Sequence, residues 1–287
     1  RSLRSALGEF EASIEYAAGT AIEAVLVYAP IEDQLRTAAQ ETLPHNPYPE
    51  DPGANVEQAG AAFESVEAAA AALDDARGIR ESYLASRQGT GARWSTLIDR
   101  FQGLEIAVGR TRAERIPDPE DADHESLFAR DLEGVELELF RIARRSARYS
   151  HDPLRSYRRR GRYANAVLAA GRRLAAIAAF DAVITALESG PEGSIQTDEP
   201  NTEQSVASLQ AAATDASETL GTLDDVEYPH LSSAIGDRAV GSYRVGRRNL
   251  EEEYFDPEHA EASFRYASLF GALAPDAASF VVDHVEG

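Results

Sequence analysis

LEGVELELFRIARRSARY, residues 132–149, decides the fold class. Leu132, Val135, Leu139, Ile142, Ser146 and Tyr149 step by three or four, so a helix gathers them on one side. A strand would scatter them over both faces, because its side chains alternate. On the same helix Arg141, Arg144, Arg145 and Arg148 fall at i, i+3, i+4 and i+7, giving a cationic face.

Helical spacing extends in both directions from this stretch. Toward the N-terminus, Leu3, Leu7, Phe10, Ile14, Ala17, Ala21 and Val25 follow it until Pro30, where an interruption is expected before a short helix over 31–42. Four prolines in residues 43–53 predict an extended connector. Asn55 with Gln58 has the spacing of a capping box, ahead of an apolar row of Phe63, Val66, Ala70 and Leu73. Gly89-Thr90-Gly91 reads as a turn into a helix bearing Trp94, Leu97, Phe101, Leu104 and Val108. Pro117 to Asp123 is a second break.

Toward the C-terminus, Asp152-Pro153 predicts a cap and first helical residue, with helix to about Leu187. Residues 189–200 read as a linker. Asn201 and Gln204 repeat the capping-box spacing before Val206, Leu209, Ala213, Ala216 and Leu220. Further helices are predicted over 231–254 and, after Asp256-Pro257, over 258–284. The expectation is therefore all-α: an antiparallel helical bundle or a short array of helical hairpins, with seven to nine helices. It is read as one unit over 1–287, with a subdivision into 1–117 and 124–287. Gly161, Tyr163 and Ala166, and separately Ala260, Phe264 and Ala267, are spaced like parts of a tetratricopeptide motif. No 34-residue period accompanies them.

The charge balance is unusual. Asp and Glu number 49 against 28 basic residues, for a net charge of −21, and every basic residue is Arg. This composition resembles that of proteins from salt-in halophilic archaea. Carboxylate self-repulsion destabilises a compact chain in dilute buffer. Molar salt shortens the Debye length to about 3 Å and screens it. Met is absent, position 1 included. The expectation is a chain that begins after trimming, cytoplasmic by preference and cell-surface or secreted if a signal was removed. The most apolar stretches, 24–31, 163–180 and 266–282, are too short or are broken by Arg172, Arg173 or Asp276, so no transmembrane segment is expected.

The missing residue types exclude much chemistry. Without Lys there is no P-loop, Schiff-base or kinase-type site. Without Cys there is no thiol nucleophile, iron–sulfur cluster or Cys-ligated zinc. The six histidines form no local zinc motif. His124, in Asp121-Ala122-Asp123-His124-Glu125, reads as part of an acidic helix start, and His259 as part of the cap at Asp256. No catalytic residue, metal site or cofactor is expected.

Residues 141–173 depart from the acidic background, with 11 Arg and a single acid, Asp152. Arg155, Arg158, Arg159 and Arg162 repeat the spacing of Arg141, Arg144, Arg145 and Arg148. Three readings compete: pairing with carboxylate-rich helices or a partner subunit, binding of a polyanion with Tyr149, Tyr157 and Tyr163 as stacking surfaces, and plain solvation. Molar salt weakens the second by reducing counterion release. The leading functional expectation is a non-enzymatic helical interaction or scaffold protein adapted to high salt, with a protein partner or self-association. A polyanion- or phosphate-binding regulatory module using both Arg quartets is the alternative, and a metal- or carboxylate-dependent enzyme in a helical bundle is the third.

Overall fold

The computed structural model describes residues 3–13, 20–41, 48–85, 94–115, 127–128, 130–149, 151–189, 202–251 and 255–287. Among these there are ten α-helices, one short 3-10 turn at Thr222–Asp224 and no strand, so the protein is all-α. In chain order the helices are α1 Leu3–Ser13, α2 Ala21–Glu41, α3 Val56–Ala85, α4 Trp94–Arg115 and α5 Gly134–Tyr149. They continue with α6 His151–Arg159, α7 Tyr163–Glu188, α8 Thr202–Gly221, α9 Pro229–Arg248 and α10 Pro257–Glu286. None is long and apolar enough to cross a membrane. The 43–47 part of the first connector, the Gly89–Gly91 turn, the 117–123 break, the His124 cluster, residues 190–200 and Asn201 lie outside the described residues.

The chain divides into two units. Unit 1 comprises residues 1–99 and 161–165, and unit 2 comprises 100–160 and 166–287.

In unit 1, α2 packs along α3, and α1 touches both. Val25, Tyr28, Ile31, Leu35 and Ala38 of α2 are buried. α2 is continuous through Pro30, where a break was expected. An interior proline costs about 3 kcal/mol. Burying Tyr28, Ile31 and Leu35 around it returns about 1.5–3 kcal/mol each, which is enough to keep the helix continuous. α3 also departs from expectation. Its buried residues are Ala62, Ala69, Ala72, Leu73 and Ala76, while Phe63 and Val66 face outward. Alanines permit the backbones of α2 and α3 to approach closely, and the bulky side chains are left on the other side. Arg77 and Arg80 lie over the Phe10 ring at 5.7 and 5.9 Å, a cation–π arrangement that ties α1 to α3.

The start of α7 is capped within unit 1. Glu32 Oε1 and Oε2 accept the backbone N–H groups of Ala164 and Asn165 at 3.1 and 2.8 Å. These N–H groups belong to a helix first turn, where they have no partner within the helix. Asn165 Nδ2 donates to the Ala29 carbonyl at 3.0 Å.

In unit 2, α10 contacts α5, α8 and α9. Its Ala260, Phe264, Ala267, Phe270, Ala274, Ala278, Val281 and Val285 are buried at steps of three and four. Asp256 caps it as expected, accepting the backbone N–H of His259 at 3.0 Å, with Pro257 in the first turn. Phe128, Phe140 and Phe180 form an aromatic chain with 5.7 Å between successive ring centroids. From Ala166 to Ala176 α7 is buried nearly all round, Arg172 being half-buried and Arg173 buried. This accounts for an apolar stretch that resembles a membrane helix in composition alone.

The helix expected over 152–187 is divided. α6 ends where the Arg160 N–H is shared between the carbonyls of Ser156 and Tyr157, and Gly161 follows at φ +70°. A left-handed glycine after the last turn is a common helix stop.

Candidate functional site

The Arg-rich segment is dispersed by this division. Arg141 forms an ion pair with Glu138 at 2.6 Å, and Arg158 forms one with Glu105 at 2.5 Å. Arg144 is half-buried, and Arg148 and Arg159 are exposed. The Arg155 side chain lies outside the described residues. Arg162 does not share a helix face with Arg155, Arg158 and Arg159, because it lies beyond Gly161. It is buried in unit 1, where its charge acts on Glu32. Among the described side chains of the two quartets, only Arg145 lines the concavity described next.

That concavity lies within unit 2, is open to solvent and has a volume of about 550 Å³. Arg145 comes from α5, Arg172 from α7, Asp237 and Arg238 from α9, and His259 from α10. Serines 146, 242 and 263 and Tyr266 add hydroxyls, while Ile142 and Val245 provide apolar wall. The helix geometry explains the convergence. His259, Ser263 and Tyr266 sit at i, i+4 and i+7 on α10, and Arg238, Ser242 and Val245 at i, i+4 and i+7 on α9, so each set shares one face.

Several of these groups are held in place. Arg172 gives Nε and Nη2 to the Ala234 carbonyl at 3.2 and 2.9 Å, which fixes the guanidinium plane and leaves its other N–H groups for a ligand. Tyr266, fully buried, donates its O–H to Ser146 Oγ. Burial pushes the phenol up to about 12, against lowering by Ser146 and Arg238, so it stays a neutral donor. Ser146 Oγ accepts that hydrogen bond, so its own O–H remains a donor. His259 Nδ1 meets Glu138 Oε2 at 2.9 Å, and the other Glu138 oxygen receives Arg141. Burial raises the Glu138 carboxyl, but hydrogen bonds from His259 and Arg141 outweigh it and hold the group below its ordinary value. Arg145 and Asp237 make no hydrogen bond or ion pair among the described residues.

No group of three or more potential metal-binding side chains occurs among the described residues. The chemistry on offer is hydrogen-bond donation by three guanidinium groups within one recess.

Arg172 belonged to the Arg-rich segment but to neither quartet, and sequence reasoning missed Arg238, Asp237 and the His259 side chain. A signal existed for the last: once Asp256-Pro257 sets the start of α10, the spacing of His259, Ser263 and Tyr266 puts three polar groups on one face.

Residues 94–283, about two thirds of the chain, match the family model described as Domain of unknown function (DUF8264). Residues 1–89 match the one described as Domain of unknown function (DUF8262). No curated protein and no solved structure matches the chain.

Proposed function

We propose that this chain, which belongs to the family described as Domain of unknown function (DUF8264), is a non-enzymatic binding module for a small phosphate-like anion, seated in unit 2. One observation carries the reading: Arg145, Arg172 and Arg238, from three different helices, line one recess. Guanidinium groups give paired, charge-assisted hydrogen bonds to phosphoryl oxygens. Three of them against the single carboxylate of Asp237 leave an excess of positive charge that an anion would offset. Arg172 and Arg238 are half-buried and Arg145 is exposed, so the concavity is open to solvent and binding should weaken as salt rises. Adaptation to a high-salt milieu is part of the proposal, supported by the net charge of −21 and the absence of Lys.

Calorimetric titration with inorganic phosphate in 2 M KCl is the test. Arg145→Gln and Arg172→Gln should each weaken binding about ten-fold, the worth of one charge-assisted contact, while Arg159→Gln, on exposed α6, leaves it unchanged. Absence of binding, or equal weakening by all three, contradicts the reading.

A second reading, a protein partner or self-association, is supported by the exposed apolar row of Val56, Phe63 and Val66 on α3. Light scattering at molar KCl should then find an oligomer that Phe63→Asp dissociates. A monomer at every protein concentration contradicts it.

A further inference from the structure

We infer that the ligand of the unit 2 recess is a polyol or sugar phosphate, an anion that carries hydroxyl groups beside its phosphoryl group. This rests on the anion-binding reading above and adds the ligand's chemical class.

The donors set the anionic end. Arg145, Arg172 and Arg238 have N–H groups and no acceptor, so they serve only ligand acceptors. A phosphoryl dianion brings three terminal oxygens to three guanidinium groups, whereas a carboxylate brings two. Its charge also matches what remains of three cations after Asp237.

The acceptors set the other end. The same recess contains two groups that a bare anion would find repulsive or useless. Asp237 lines it with an exposed carboxylate that makes no hydrogen bond or ion pair among the described residues. His259 is pinned at Nδ1 by Glu138, and an ionised carboxylate can only accept, so Nδ1 carries the proton. In the neutral imidazole Nε2 is then an acceptor. Arg141 on the second oxygen of Glu138 keeps that carboxylate in position and fixes the tautomer further. Asp237, joined by His259 Nε2 whenever that ring is neutral, puts acceptors beside three cationic donors and calls for O–H groups next to the anion. The serine hydroxyls at 146, 242 and 263 serve either partner. A volume near 550 Å³ suits a small organic ligand better than a bare ion or a polymer.

The experiment compares glycerol 1-phosphate, propyl phosphate and glycerate by calorimetry at pH 8 in 2 M KCl. Glycerol phosphate should bind about ten-fold tighter than propyl phosphate, because only its hydroxyl groups can donate hydrogen bonds to Asp237 and to His259 Nε2 of the neutral ring. His259→Phe should narrow that gap, with folding checked by circular dichroism. Asp237→Ala, at an exposed side chain, should narrow it independently while strengthening propyl phosphate. Equal affinity for the two phosphates in the unaltered protein overturns the inference while preserving the anion reading. Tighter binding of glycerate than of glycerol phosphate overturns the phosphoryl assignment. No binding of any of the three removes the underlying reading as well.

Discussion

Glu32 shows how one residue can couple a helix start to pH. Burial raises its carboxyl from 4.5 to about 8, against the lowering effects of the Asn165 and Ala164 N–H groups and of Arg162. A carboxyl raised on folding stabilises the native state fully below its unfolded value. That contribution is lost as pH rises through the folded value, so it falls away between about 4.5 and about 8. The shift corresponds to a loss on the order of 5 kcal/mol across the window. Glu32→Gln cannot titrate, but its amide N–H₂ meets one of the two backbone donors, costing about 1–3 kcal/mol. The variant should melt below the unaltered protein at pH 5 and approach or pass it at pH 9. Parallel melting curves across that range would contradict the assignment. The partners of Glu32 and His259 were not legible in the sequence for the same reason: each lies more than a hundred positions away. Local spacing explains what a side chain is near on its own helix and nothing beyond it.

On the scale of the element, α9 provides an internal comparison. A Cβ placed on Gly246 would lie 2.8–3.0 Å from three atoms of the buried Phe264 ring, and one on Gly241 meets nothing within 4 Å. Overpacking costs about 1–3 kcal/mol, and glycine to alanine in a helix interior returns about 1 kcal/mol. Gly246→Ala should lower Tm by a few degrees and Gly241→Ala should raise it slightly, as read by thermal denaturation. Similar shifts for both would mean that α9 and α10 are not packed as described. Element type and most starts were legible in the sequence: α10 begins at its Asp-Pro cap, and Leu97, Phe101, Leu104 and Val108 of α4 are all buried as their spacing predicts. The misreadings share a physical cause. Pro30 lies inside a helix because tertiary burial outweighs a local penalty. Gly161 divides 152–187 because its backbone conformation ends the turn, and with it the second Arg quartet. On α3, side-chain size does not mark the core side: four of its five buried residues are alanines, and Phe63 and Val66 are exposed. The recess depends on faces of four helices meeting, which no single segment encodes.

For the whole molecule the governing quantity is the surplus of carboxylates. With a net charge of −21, screening should dominate the stability of the compact state. The Debye length falls from about 10 Å at 0.1 M salt to about 3 Å at 1 M. Tm should rise by roughly 10 °C between 0.1 and 2 M KCl, given the few degrees per kcal/mol expected at this size. A flat or falling curve in differential scanning calorimetry would remove the high-salt half of the account. The local excess of arginine has a different destination. Part of it is spent on ion pairs such as Arg141–Glu138 and Arg158–Glu105, while Arg145 and Arg172 join Arg238 at the recess in unit 2. The most direct test of that recess is to soak crystals of the full chain in tungstate, a heavy tetrahedral stand-in for phosphate, and locate it by anomalous scattering. The account predicts a peak within hydrogen-bonding reach of Arg145, Arg172 and Arg238. A recess without tungstate, with peaks only along the exposed arginines of α5 and α6, would contradict it.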